Sequence, residues 1–282
     1  MKNAMQLKAF IRDVSKEKKI SAQLVLQNYM LERLLERISL SKYKNQFILK
    51  GGFLIASIVG LDTRATMDLD LTIKGLATTM GNIQQVFTEI INIVVEDNVI
   101  FEWRGISEIR EDAEYAGYRV ALTGNFPPMV VPLKLDITSG DRITPKEINY
   151  EYKPLFGEKA IQVLAYNLET VLAEKLEAIV SRGDQSTRMR DYYDVYILHK
   201  LQSSNIDMAN LKQALENTAA QRGTIQIITS YKEIIQSVGN SESMRRQWQN
   251  YKASYDYAKD IEFESVCEVL DEILAELFHR GG

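Results

Sequence analysis

Residues 49–53 read LKGGF and residues 64–73 read RATMDLDLTI, and these two runs decide the fold that we predict. The first run ends an apolar strand in the glycine pair Gly51-Gly52, and a short amphipathic helix follows from Phe53 to Gly60. The second run predicts a strand from Met67 to Ile73. A strand, a helix and a second strand therefore follow one another in about 27 residues, as in a compact α/β unit.

The second run carries two carboxylates, Asp68 and Asp70. Alternate side chains of a strand lie on the same face, so these two should project together, with Cα atoms roughly 6.5 Å apart. Met67, Leu69 and Leu71 then form the apolar face. Neighbouring carboxylates repel each other unless a cation lies between them, and oxygen ligands of this kind suit Mg²⁺. We predict Asp68 and Asp70 as metal ligands.

Composition excludes several classes of protein. The chain has 282 residues, of which 45% are apolar and 26% are charged, and its net charge of −4 requires any nucleic-acid contact to come from a local basic patch. With one cysteine and two histidines, a disulfide framework and a cysteine-based zinc site are excluded. The first residues lack an apolar signal core and no apolar run is long enough to span a bilayer, so we expect a cytoplasmic protein.

The pattern predicts an α+β fold in three parts. Residues 1–45 are expected to be helical, with Ser21 as a helix N-cap, and residues 46–165 to form a mixed α/β core. Residues 166–282 are expected to form a helical bundle, in which Asn167 can cap the first helix. Within the core we predict a helix at 82–95, strands at 99–109, 115–123 and 129–138, a turn-rich loop at 123–128, and a further strand pair around Tyr150 and Ile161. Helices are predicted in the last part at 167–181, 188–201, 207–218, 224–238, 242–257 and 262–278.

A third carboxylate lies on a later strand. In the run VPLKLDIT at residues 131–138, the residues Leu133, Leu135 and Ile137 share one face, and Asp136 lies on the other. If this strand neighbours the first two, Asp136 could join Asp68 and Asp70, and three carboxylates can hold the paired Mg²⁺ ions of in-line phosphoryl transfer. The alternative is a solvent-facing strand residue. The glycine pair fits the same chemistry, because it lets backbone N–H groups of a helix N-terminus approach a phosphate.

Two predicted helices place charged residues on apolar faces. Lys175 interrupts a stripe of leucine, valine and isoleucine side chains, and such a lysine requires an anion, for which a triphosphate or a nearby carboxylate would serve. On the next helix, Asp191 and Asp194 share a face with Val195. They could act in catalysis or pair with Lys175 and fix the helix packing. Arg182, Arg188 and Arg190 cluster around the intervening loop, where they could bind a phosphate or face solvent.

These motifs resemble a known family. The Gly-Gly and Asp-x-Asp pattern looks like the first motif of the DNA polymerase β-type nucleotidyltransferases. The runs AEKLEA at 173–178 and RMRDYYD at 188–194 resemble the AbiEii/AbiGii nucleotidyltransferase toxins. The resemblance implies a nucleotidyltransferase-type mixed sheet with flanking helices and a C-terminal helical bundle. Carried over by position, the family's motifs fall on Gly51, Gly52, Asp68, Asp70, Lys175, Arg188, Asp191 and Asp194.

The resemblance also implies a function. Such toxins take a nucleoside triphosphate with Mg²⁺ and transfer the nucleotide to an acceptor, in some members the 3′ end of tRNA. They belong to type IV toxin–antitoxin and phage-abortive systems, which implies a cognate antitoxin. On this hypothesis Asp136 completes the metal site or acts as the base, and the glycine pair and Lys175 hold the triphosphate. Asp191 orients Lys175 or the substrate, and Arg64 reaches the nucleotide. There are two alternatives. One is a nucleotidyltransferase that acts on a small molecule, and the other is a catalytically silent protein that binds a nucleotide or a partner.

Overall fold

The computed structural model describes residues 3–109, 117–157 and 159–279. The chain divides into two compact units, the first formed by Met1–Asp141 and Glu147–Ala165 and the second by Arg142–Lys146 and Tyr166–Gly282. The division into three parts at residues 45 and 165 stays a prediction.

A mixed β-sheet organises the first unit. Its strands are β1 (Phe47–Lys50), β2 (Leu69–Ile73), β3 (Ile100–Ile109), β4 (Gly117–Phe126), β5 (Met129–Ser139), β6 (Ile148–Tyr152) and β7 (Ile161–Ala165). In the described part of the chain they form one sheet in the order β3-β4-β5-β2-β1-β7-β6. The pairs β2–β5 and β1–β7 are parallel and the other neighbours are antiparallel. The predicted α+β class and the predicted β6–β7 pair are confirmed.

Four helices of the first unit are described: α1 (Ala4–Lys18), α2 (Ala22–Leu40), α3 (Gly51–Val59) and α4 (Met80–Ile91). The predicted N-cap Ser21 is confirmed, because its side chain accepts a hydrogen bond from the Leu24 N–H at 3.2 Å. Helix α2 packs against β5 and β7, α3 against β1 and β2, and α4 against β3. The alternating residues Val131 to Ile137 of β5 are buried to at least 99% and each contributes about 1.5–3 kcal/mol to folding.

The strand that carries the aspartate pair begins later than predicted. β2 starts at Leu69, so Asp68 lies just before it, and Met67 is 45% exposed rather than buried on the apolar face. The cause is a side chain from helix α2. The buried Gln27 amide donates to the Met67 carbonyl and to the Pro132 carbonyl, each at 3.1 Å. Because Gln27 engages both of these carbonyls, the pairing of β2 with β5 begins only at Leu69 and Leu135.

The predicted loop at 123–128 is mostly strand. β4 continues to Phe126, which pairs with Met129, so the turn is reduced to Pro127-Pro128. Gly124 does not serve a turn: a Cβ there would lie 3.2 Å from both the Met30 sulfur and the Phe101 ring, so this glycine permits close packing. The start predicted at Tyr115 lies outside the described residues.

Helix α4 is also shorter than predicted. It ends at Ile91 rather than at residue 95, and the Asn92 side chain donates to the Thr88 carbonyl at 2.8 Å. Asparagine side chains satisfy the last carbonyls of a helix in this way and favour its termination.

A polar cluster is buried beneath helix α2. Glu32 is fully buried, and its Oε1 accepts hydrogen bonds from the Leu155 N–H at 2.7 Å, the Tyr152 hydroxyl at 3.1 Å and a nearby asparagine. Burial raises the pKa of Glu32 to about 7. One turn further along, Arg37 forms a two-pronged ion pair with the buried Asp97, at 2.7 and 2.9 Å.

The described part of the second unit is helical. Its helices are α5 (Leu168–Arg182), α6 (Met189–Gln202), α7 (Met208–Arg222), α8 (Ile225–Thr229), α9 (Tyr231–Asn240), α10 (Glu242–Ser254) and α11 (Phe263–His279). Asn167 and Asp207 cap α5 and α7 with their side-chain oxygens, as their positions ahead of apolar runs indicate.

Two predicted helices of this unit differ from those observed. The helix predicted at 224–238 is divided into α8 and α9, because the Ser230 N–H closes a tight turn on the Ile227 carbonyl at 3.0 Å. The helix predicted at 242–257 ends at Ser254, where Tyr255 adopts an extended backbone. Neither end is marked by glycine or proline, which is why the apolar spacing alone did not reveal it.

Candidate active site

The glycine pair lies at the junction between β1 and α3, as predicted. Gly51 has a φ of +63°, and a Cβ at this position would lie 2.1 Å from Asp70 Oδ2 and 2.7 Å from Asp70 Cβ. Glycine is therefore required here both for its backbone conformation and for the close approach of Asp70. The N–H of Gly52 donates to Asp70 Oδ2 at 3.1 Å, which places this carboxylate at the positive end of helix α3.

Four charged residues form a row across the sheet next to this junction. Lys50 on β1 is the register partner of Asp70 on β2, Asp70 is that of Asp136 on β5, and Asp136 is that of Arg119 on β4. Register partners project from the same face, and neighbouring strands lie about 4.8 Å apart. The prediction that Asp70 and Asp136 belong to neighbouring strands is therefore confirmed, and the row carries charges in the order plus, minus, minus, plus.

Each end of the row is held by an ion pair. Lys50 Nζ lies 2.5 Å from Asp141 Oδ2, which also accepts from the Thr138 hydroxyl at 2.7 Å. Arg119 donates two parallel hydrogen bonds to Asp136, from Nε to Oδ1 at 2.8 Å and from Nη2 to Oδ2 at 2.7 Å. This fork geometry is the strongest arrangement available to an arginine and a carboxylate.

Asp68 completes the acidic cluster. It lies just before β2 and is exposed. The hydrogen bonds and charge of Asp136 raise the pKa of Arg119, and the charges of Asp68 and Asp70 raise it further. All three predicted metal ligands therefore act on one guanidinium group.

The donor set of this cluster fits a divalent cation that prefers oxygen. Asp68 and Asp70 supply carboxylate oxygens near a helix N-terminus, the donor chemistry that Mg²⁺ uses beside a phosphate. Among residues 3–109, 117–157 and 159–279, however, no three histidine, cysteine, aspartate or glutamate side chains are already arranged around a common metal position. Asp136 does not point both oxygens toward such a position, because Arg119 binds both of them.

Arg64 lies on the other side of the glycine pair. It is 2% exposed, and a Cβ at Gly52 would lie 3.0 Å from its Nη2 atom. Its guanidinium donates to the Ala65 carbonyl at 2.5 Å. Gly52 thus makes room for a buried arginine next to the start of α3, while the prediction that Arg64 reaches a nucleotide stays a prediction.

In the second unit, Lys175 is paired with the two aspartates on the next helix. Its Nζ lies 2.5 Å from Asp191 Oδ1 and 3.0 Å from Asp194 Oδ2. The side chains of the three are 16%, 6% and 0% exposed, so the predicted inward face of α6 is confirmed. Arg188 Nε adds a contact to Asp191 at 3.1 Å and keeps 59% of its side chain exposed.

The other arginines of the predicted basic patch are engaged within the same unit. Arg190 donates to the Tyr255 hydroxyl at 2.8 Å and lies 5.5 Å from the centre of its ring. Arg182 donates to the Ala178 carbonyl at 3.3 Å. The first contact joins α6 to the segment after α10 and the second lies within α5, while the Arg188 side chain is 59% exposed.

A family model now accounts for this arrangement. The model described as "Nucleotidyl transferase AbiEii toxin, Type IV TA system" matches residues 33–275. The chain belongs to the AbiEii family. The matched range contains every motif residue from Gly51 to Asp194, and AbiEii membership makes the chain a nucleotidyltransferase of a toxin family.

Solved structures share the AbiEii fold. A crystal structure of a proposed nucleotidyltransferase from H. pylori is 14% identical with a TM-score of 0.50, and the match covers 93% of this chain and 97% of that one. JHP933 from Helicobacter pylori is also 14% identical at a TM-score of 0.50, covering 92% and 94%. At this identity the likeness concerns the fold. No curated protein matches the chain significantly.

Sequence reasoning missed three residues of the first unit of this AbiEii chain: Lys50, Arg119 and Asp141. Lys50 directly precedes the glycine pair, and its position at the end of a strand was a usable signal. Arg119 alternates with the buried Tyr118 and Val120, which marks it as lying on the polar face of β4. Its contact with Asp136 depends on the β4–β5 register, which the sequence did not reveal.

No helix in the described ranges is long and apolar enough to cross a bilayer.

Proposed function

We propose that this AbiEii protein transfers a nucleotide from a nucleoside triphosphate to the 3′ end of a tRNA, with Mg²⁺ as the required cation. The observation that carries the proposal is the contact of Asp70 with the start of α3, in register with Asp136 on the neighbouring strand. It places acidic oxygens beside backbone N–H groups at a helix N-terminus, a pairing suited to a cation and a phosphate together. A toxin working on these substrates would act in the cytoplasm.

The first unit supplies the metal ligands and part of the phosphate site. Asp68 and Asp70 would hold Mg²⁺, and Asp136 would complete the site or accept the proton of the attacking hydroxyl. When bound, the cation would neutralise charge on the triphosphate and on the oxygens that exchange at phosphorus. Gly51 and Gly52 would contribute backbone N–H groups of the helix N-terminus to a phosphate, and their missing side chains admit Asp70 and Arg64 beside that terminus.

The reaction is a substitution at the α-phosphorus. The acceptor hydroxyl oxygen forms a bond to phosphorus, the bond to the pyrophosphate oxygen breaks, and the hydroxyl proton passes to a base such as Asp136. Pyrophosphate carries the leaving electron pair. Little covalent chemistry is left to the protein, so positioning and charge compensation are the main contributions of its residues.

The roles of the second unit follow from the family resemblance. Lys175 is proposed to bind a phosphate group, and Asp191 to orient the lysine through their 2.5 Å contact. Asp194 and Arg188 would support the same group, since both lie within the ion-pair network of Lys175 and Asp191. The alternative is that the network only fixes the packing of α5 on α6, and nucleotide binding by a Lys175→Met variant separates the two.

The partner implied by the family is a cognate antitoxin. The description of the AbiEii family as a type IV toxin–antitoxin system supports this part of the proposal. Expression of the chain alone should arrest growth, and coexpression with the cognate antitoxin should restore it. An Asp68→Ala variant that arrests growth as strongly as wild type would contradict the catalytic basis of toxicity.

The transfer reaction is tested with α-labelled triphosphates. Wild type, Asp70→Asn and the control Asp13→Asn are incubated with each of the four labelled nucleotides, Mg²⁺ and total tRNA. Asp13 suits the control because it is an exposed carboxylate of α1 in the same unit. Label should enter tRNA with wild type and the control but not with Asp70→Asn. Label entering a small molecule instead would favour the small-molecule enzyme, and no transfer to any acceptor would favour the silent protein.

A further inference from the structure

The position of Arg119 is set by the sheet itself. β4 and β5 are antiparallel partners over their described length, and their register places Arg119 directly opposite Asp136. The two hydrogen bonds between them occupy both carboxylate oxygens, at 2.8 and 2.7 Å. A ligand that needs an Asp136 oxygen must therefore compete with an arginine that the backbone holds in place.

The pair is built so that it can open. The Arg119 side chain is 45% exposed and that of Asp136 is 25% exposed, so water competes for both groups. Solvent screens the pair despite its fork geometry, and a long arginine side chain can turn toward solvent while its backbone stays in the sheet. Asp70 differs, because it is fixed by the Gly52 N–H and by its close packing against Gly51.

We propose that Arg119 is the internal counter-ion of the acidic cluster and that a divalent cation binds there by displacing it from Asp136. This inference rests on the proposed function, because it assumes that the cluster is the metal site. A guanidinium and a divalent cation compete for the same two oxygens, because their like charges repel at that distance. Asp136 therefore has two alternative partners, and Arg119 weakens metal binding while stabilising the metal-free protein.

The displacement is measured through metal affinity rather than activity. Mn²⁺, which has oxygen-ligand preferences close to those of Mg²⁺, is titrated into the full chain by calorimetry for wild type, Arg119→Gln, Arg119→Lys and the control Arg104→Gln. Arg104 lies on the adjacent strand β3 and pairs with Glu102, so its replacement removes one exposed positive charge from the same sheet. The control thus corrects for the change in net charge.

Arg119→Gln should bind Mn²⁺ about tenfold more tightly than wild type, which corresponds to about 1.4 kcal/mol. Arg119→Lys keeps the charge but loses the fork, so its affinity should fall between the two. Arg104→Gln should bind like wild type. Thermal unfolding gives a second readout: without metal Arg119→Gln should melt below wild type, and saturating Mn²⁺ should raise its melting temperature by more than it raises that of wild type. This readout also establishes that the variant folds.

The outcomes separate this inference from the function it rests on. If wild type binds Mn²⁺ and Arg119→Gln binds it equally or more weakly, the displacement is wrong while the metal site stands. If Arg104→Gln gains as much affinity as Arg119→Gln, the effect is one of net charge and the displacement is again wrong. If wild type and Arg119→Gln both fail to bind Mn²⁺, the metal site of the proposed function is wrong, and so is the displacement of Arg119.

Discussion

Replacing Gly51 with alanine tests the closest contact of the candidate site. Alanine at φ +63° carries a backbone cost of about 1–2 kcal/mol. Its Cβ would also lie 2.1 Å from Asp70 Oδ2 and 2.7 Å from Asp70 Cβ, so turning the carboxylate away does not remove the overlap. Either the start of α3 or strand β2 must move, and the charge-assisted bond from the Gly52 N–H is lost, which costs about 1.5–3 kcal/mol. We expect a total loss of about 3–5 kcal/mol in the free energy of unfolding.

The chain offers a matched control for this variant. Gly75 belongs to the same unit and has a φ of +73°, but no atom lies within 4 Å of its would-be Cβ. Gly75→Ala should therefore lose only the backbone part, about 1–2 kcal/mol. Both are measured by urea unfolding followed by circular dichroism.

A double variant isolates the contact itself. Asp70→Gly removes both atoms that the alanine would overlap, so Gly51→Ala should cost at least about 1 kcal/mol less in that background than in wild type. Equal costs for Gly51→Ala and Gly75→Ala, together with additive behaviour in the double variant, would refute the argument that Gly51 exists to admit Asp70.

Three further predictions concern buried charges. Glu32 has a folded pKa of about 7 against an ordinary 4.5, so its contribution to stability is complete below pH 4.5 and is lost as the pH rises through 7. The difference in the free energy of unfolding between Glu32→Gln and wild type should therefore change by about 3 kcal/mol in favour of the variant from pH 4.5 to pH 8. A difference that does not depend on pH would contradict this. Asp97→Ala leaves Arg37 buried without its carboxylate and should cost about 3–5 kcal/mol in urea unfolding, whereas a cost below about 1 kcal/mol would show that the pair is dispensable. Lys175→Met should cost a similar amount, because it removes the ammonium group that two buried carboxylates share, while Arg188→Gln, at an exposed partner of Asp191, should cost less than about 1 kcal/mol in the same assay.

Local signals in the sequence were sufficient for much of the fold. Ser21 and Asn167 cap helices as expected, because a cap depends on a side chain and the backbone two or three residues away. The burial of Asp191 and Asp194 followed from helical spacing alone, since they share a face with apolar residues.

What the sequence did not reveal depends on contacts between distant segments. Met67 was predicted as a strand residue, because its hydrogen bond from the side-chain amide of Gln27, forty positions earlier, is not visible in the sequence. Gly124 looked like a turn residue because its packing against Met30 and Phe101 is invisible without the fold. Arg119 looked like an ordinary polar-face residue because its partner Asp136 is fixed by strand register, which alternation does not determine.

The most direct test of the central claim is the mass of the tRNA 3′ end after incubation with the protein. Purified tRNA is incubated with wild type or Asp70→Asn, Mg²⁺ and a mixture of the four nucleoside triphosphates. The tRNA is then digested, and the mass of its 3′-terminal fragment is measured by mass spectrometry. With wild type the fragment should be heavier by one or more nucleotide residues, and with Asp70→Asn or with chelated metal it should be unchanged. Addition that proceeds equally with Asp70→Asn would contradict the assignment of the site, and an unchanged fragment with wild type would contradict transfer to tRNA.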